Sequence, residues 1–115
     1  MLPEYQQHYQ QFVQLLEQLR TVAQNRAFQE LRQSHQTAQQ FFVEEILTLE
    51  PLDNYQIRSY QTEISKQLQL MGMDVIFLQA AKAPETAANR QKQLLDRFPS
   101  LLNYCNAILQ LTKSL

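Results

Sequence analysis

The stretch that decides the fold is NYQIRSYQTEISKQLQLMGMDVIFLQAA, residues 54–81. Within it Ile57, Tyr60, Ile64, Leu68, Met71, Val75 and Leu78 recur at steps of three and four, which places them on one stripe of a helix. At ~1.5 Å rise per residue that helix is about 40 Å long. This is more than a compact globule of this size needs, so helical hairpins or a bundle are expected rather than a globin-like packing. Asp53 and Gln56 have capping-box spacing, which predicts that they satisfy free backbone donors at the helix start.

Downstream, Ala83-Pro84 breaks the chain, and Pro84 suits the first position of a following helix. The stripe of that helix is Ala87, Gln91, Leu94, Phe98, Leu101, Cys105 and Ile108. Pro99 lies inside the pattern and predicts a kink between Arg97 and Ser100 rather than two independent helices. A short connection favours antiparallel neighbours. Folding about Lys82-Ala83 then sets Leu78 near Ala87, Met71 near Leu94 and Tyr60 near Cys105.

Upstream, Pro51 is expected to stop a helix whose stripe is Phe28, Leu31, His35, Ala38, Phe42 and Leu49, with Ile46 at its flank. Before it, Tyr5, Tyr9, Phe12, Leu16, Leu19 and Ala23 form another stripe, with Pro3 near its start. No residue at Gln24-Asn25-Arg26 forbids continuity between these two helices, so that boundary is the least defined. The fold expected is all-α: an antiparallel four-helix bundle of long hairpins, kinked near Pro99, forming a single domain over residues 1–115.

Composition supports this reading. The 115 residues suit one domain, 44% of them are hydrophobic, and a single glycine argues against turn-rich sheets. Charged residues are only 18%, because glutamine supplies much of the polarity. Net charge is −1, with basic and acidic residues scattered singly. A basic stripe able to release phosphate counterions is not visible, which disfavours nucleic acid as a partner. The most apolar stretch, Leu68 to Ala81, is interrupted by Gln69, Asp74 and Gln79 and is too short for a membrane span. The N-terminus lacks the basic and apolar regions of a signal peptide, and the lone Cys105 suits a reducing compartment, so a cytoplasmic protein is expected.

Candidate chemistry is sparse. His8 and His35 have no neighbouring ligand at helical spacing, and Cys105 sits on an apolar stripe where burial keeps a thiol inert. Gly72 alone cannot build a phosphate-cradling loop, and Glu44 and Glu45 point to different helix faces. The expectation is a chain that is not an enzyme and binds no cofactor or metal. Its residual feature is a second apolar stripe of Leu70, Met73 and Phe77, with Leu95, Leu102 and Leu109 flanking the fourth helix. Burial against the first two helices is the simpler expectation for these residues. The alternative is a partner or dimer surface built from Leu70, Met73, Asp74, Phe77, Leu95 and Leu102. Asp74 is expected to pair with Arg90 or Lys92 across the hairpin, and Gly72 to permit a close helix crossing.

The run SYQTEISKQL (59–68), with MGMDVIFLQAA (71–81), resembles the centre of the cyanobacterial PatD family. Pro84-Glu85-Thr86, Arg90 and YCNAIL (104–109) fit the same family, while the Gln-rich first half resembles it only in length and helical character. PatD-like proteins are small cytoplasmic regulators of heterocyst frequency that interact with the tubulin-like division protein FtsZ. The resemblance implies a modulator of FtsZ assembly, cell division and cell size, and transfers no individual binding residue. Apart from that resemblance, the residues leave open a self-assembling helical scaffold, such as a homodimer, or an adaptor for another cytoplasmic protein.

Overall fold

The computed structural model describes residues 2–114, and among them there are helices and no strand. The helices are α1 (Leu2–Gln24), α2 (Phe28–Phe41), α3 (Tyr55–Ala80), α4 (Pro84–Asp96) and α5 (Phe98–Ser114), with a π-helical turn, Phe42–Ile46, continuing α2. The molecule is elongated, 49 × 20 × 18 Å.

The stripe of α1 is wholly buried, from Tyr5 to Ala23. At its end the chain does break. Ala27 N–H reaches back to the Val22 carbonyl and Arg26 N–H to that of Ala23, the paired bonds of a Schellman closure. Arg26 holds the left-handed position that this closure requires, at φ 56°. Nothing in the local sequence announces it, because glycine is the residue usually found there.

Along α2, Leu31, His35 and Ala38 are buried, and the π-turn brings Phe42 and Ile46 into the same core. Leu47 N–H bonds to the Phe42 carbonyl five residues back, which widens the turn. Helical backbone therefore ends before Pro51, which lies in the connecting loop rather than acting as the direct stop.

Helix α3 begins one residue later than expected, and its cap is different. Asn54 is the N-cap, its side chain accepting from the Ile57 N–H at 3.0 Å; this replaces the Asp53–Gln56 box. Pro84 opens α4 as expected. The chain between Asp96 and Phe98 is interrupted at Arg97 alone, which keeps right-handed backbone angles (φ −80°, ψ −22°). What was expected as one kinked helix is two helices with a one-residue break, and Pro99 falls in the first turn of α5, where its missing N–H costs little.

Specific contacts fix how the helices lie together. Tyr5 donates to the Glu50 carbonyl, and the rings of Phe12 and Phe42 lie 5.2 Å apart, joining α1 to the end of α2. Gln79 reaches the Phe28 carbonyl and His35 that of Leu68, so partner numbers fall along α2 as they rise along α3. The rings of Tyr60 and Tyr104 stand 5.8 Å apart, close to the Tyr60–Cys105 proximity expected. Gln61 donates to the Tyr9 hydroxyl at 3.0 Å, and Gln91 to the Ala23 carbonyl at 2.9 Å, tying α1 to α3 and α4.

Arg26→Gly removes the left-handed strain of a residue that carries a Cβ. Even after the added freedom of the unfolded chain, a gain of roughly 0.5–1 kcal/mol is expected in chemical denaturation. An unchanged or lowered midpoint would contradict the closure described here.

Candidate protein-binding surface

Gly72 sets how α3 is turned about its axis. A Cβ placed there would stand 2.9 Å from Cε1 of His35, whose ring edge points at the glycine. His35 Nε2 is 2.7 Å from the Leu68 carbonyl, which only accepts, so this nitrogen carries the proton. The close crossing expected of Gly72 is thus present, and the packed, hydrogen-bonded ring compensates for the glycine's poor helix propensity. His35 is a core residue.

Two residues beyond Gly72, Asp74 is only 3% exposed. Arg97 Nε donates to its Oδ2, and the same guanidinium reaches Gln67 Oε1 at 3.4 Å. Asp74 therefore pairs with Arg97, at the α4–α5 break, and not with Arg90 or Lys92. The helix interruption aims the Arg97 side chain at α3. Asp74 also leaves the candidate surface, since its carboxylate is covered and already engaged.

Met71, Asp74, Val75 and Leu78 are turned inward, and Met73, Ile76 and Phe77 face out. Met73 is 52% exposed, Ile76 59% and Phe77 43%. Burial against the first two helices, the simpler expectation for Met73 and Phe77, is not what occurs. Leu70 is half-buried, and Leu95, Leu102 and Leu109 are half-buried against the core. The outer face of α3 is thus apolar through its last two turns, with the Arg90 guanidinium carbon 4.6 Å from the Phe77 ring centroid. Ile76 escaped the sequence reading, although it lies at helical spacing from Met73 on the face opposite Met71 and Val75.

Other candidates for chemistry resolve differently. Cys105 is buried, and burial pushes its thiol up to about 12, so the nucleophilic thiolate is scarce near neutrality. The His8 ring packs 6.1 Å from Phe41 and bonds the Glu4 carbonyl. Among the described residues no three His, Cys, Asp or Glu side chains are grouped to hold a metal ion. An open furrow of about 410 Å³ runs between α1 and α2, floored by Leu15 and Phe41 and walled by glutamines and Glu44 and Glu45. No described helix is long and apolar enough to cross a membrane.

No family model matches this chain, and neither a curated protein nor a solved structure does. The surface must be read from its own physics. Exposed Met73, Ile76 and Phe77 lie together on one helix face, the feature that most needs an explanation.

The Gly72–His35 contact predicts a change of sign in a double-mutant cycle. In the native background Gly72→Ala destabilises, because the pinned ring must move. In a His35→Ala background the same substitution stabilises by about 1 kcal/mol through helix propensity. Equal effects in both backgrounds, read by urea denaturation, would show that the ring does not rest on Gly72.

Proposed function

We propose that this chain is a non-catalytic regulator, folded as an antiparallel four-helix bundle, that acts in the cytoplasm by binding another protein through the outer face of α3. The observation that carries this reading is the exposure of Met73, Ile76 and Phe77 side by side. Leaving three large apolar side chains about half exposed forgoes about half of the roughly 1.5–3 kcal/mol each that full burial contributes. A partner that covers them recovers part of that free energy. All three residues belong to the segment that resembles the PatD family.

The partner proposed on that resemblance is FtsZ, with modulation of its assembly as the biochemical effect, and cell size and heterocyst frequency as the cellular ones. The buried Cys105 thiol and engaged Asp74 suit a binding role, since the groups best able to react are withdrawn from solvent.

Sedimentation of FtsZ polymers with the purified protein tests the proposal. The native protein is expected to co-pellet or to alter polymer mass, and Phe77→Glu, at an exposed position, to lose at least ten-fold in the protein concentration required. If the native protein leaves the polymers unchanged, FtsZ is not the partner. If Phe77→Glu acts as well as the native protein, the docking face lies elsewhere.

A further inference from the structure

The large exposed apolar side chains of the described residues fall into two groups. Val43, Leu47 and Tyr55 lie within residues 43–55, and Met73, Ile76 and Phe77 lie near the end of α3. Along α3, Tyr55 and Met73 are about 27 Å apart at ~1.5 Å per residue, so the groups occupy opposite halves of the 49 Å molecule.

Charge divides the same way. Residues 43–55 contain Glu44, Glu45, Glu50 and Asp53, all exposed, and no lysine or arginine, while exposed Arg58 beside Tyr55 offsets one of the four carboxylates. Around the second group, residues 66–92 contain Lys66, Lys82, Arg90 and Lys92 against one exposed carboxylate, Glu85, because Asp74 is buried with Arg97. The α1–α2 closure lies at that end too, through the Gln79–Phe28 bond, and brings exposed Arg26 and Arg32 with Glu30. The near-zero net charge thus conceals a molecule with an acidic apolar end and a basic apolar end.

We infer that the acidic end, around Val43, Glu44 and Leu47, docks onto the basic α3 stripe of a second copy, so that the protein associates head to tail. A two-fold dimer through either patch would set like charges against each other, whereas a heterologous contact matches cation to carboxylate and apolar to apolar. Such a contact leaves one free end on each molecule, and so continues into open chains. The inference rests on reading the α3 stripe as an interface, and adds a second surface and its occupant.

The test is light scattering on the full chain. In low salt the native protein should show a mass that rises with concentration to at least twice the 13.6 kDa monomer. Raising NaCl from about 0.05 to 0.5 M should reverse this, since exposed charges are screened. Glu44→Lys/Leu47→Lys and Ile76→Glu/Phe77→Glu should each be monomeric alone. Mixed, they should form a one-to-one pair and nothing larger, because each retains the end that the other lacks. A native protein that stays monomeric, a mixture that stays monomeric, or a discrete dimer that survives Glu44→Lys/Leu47→Lys overturns the inference. Glu44→Lys/Leu47→Lys keeps the α3 stripe intact, so its effect on FtsZ polymers separates failure of this contact from failure of the proposed partner.

Discussion

The structure depends on the seat that Gly72 provides for His35. A larger residue would hold α2 away from α3 or force the ring out of its hydrogen bond to Leu68. Because an α-helix is rigid, fixing its rotation at one point fixes it along neighbouring turns. Turning Met71, Val75 and Leu78 inward necessarily turns Met73, Ile76 and Phe77 outward. The core and the exposed stripe are two consequences of one contact.

The remaining alignment comes from a few polar side chains that bridge helices rather than from apolar packing alone. Apolar side chains can slide by a turn at modest cost, whereas a buried donor that loses its acceptor costs about 1–3 kcal/mol. Gln61 to Tyr9, Gln91 to Ala23 and Arg97 to Asp74 each set the register of one helix against another, and the exposed bond from Gln79 to Phe28 agrees with them. Glutamine suits this task because its amide offers donors without the desolvation penalty of a charge. Part of the glutamine excess is therefore internal wiring, and the rest covers solvated faces such as the furrow between α1 and α2.

Helical periodicity made much of this legible. The stripe of α1 and most of the α2 stripe follow from spacings of three and four, and the start of α4 follows from Pro84; Tyr60 meets Tyr104, the neighbour of the expected Cys105. What escaped depends on choices among near-equivalent residues. Asp53 and Asn54 are both good caps, and only the loop path selects Asn54. Arg26 in a left-handed position and a π-turn after Phe41 leave no mark in the pattern. Asp74 had three cations within plausible reach, and the break at Arg97 decided among them. Met73 and Phe77 stand out in the sequence, yet burial is the simpler expectation for them because apolar residues usually are buried, and Ile76 does not stand out at all.

Met71 and Met73 report the setting of α3 directly, since they are two residues apart and face opposite ways, 0% and 52% exposed. Peroxide converts an accessible methionine to its sulfoxide, and mass spectrometry reads each site separately. Met73 is expected to oxidise at least ten-fold faster than Met71 in the folded protein, with the two rates converging in denaturant. Equal rates in the folded protein, or faster oxidation of Met71, would mean that α3 is turned differently and that the outer face described here is not the surface the protein presents.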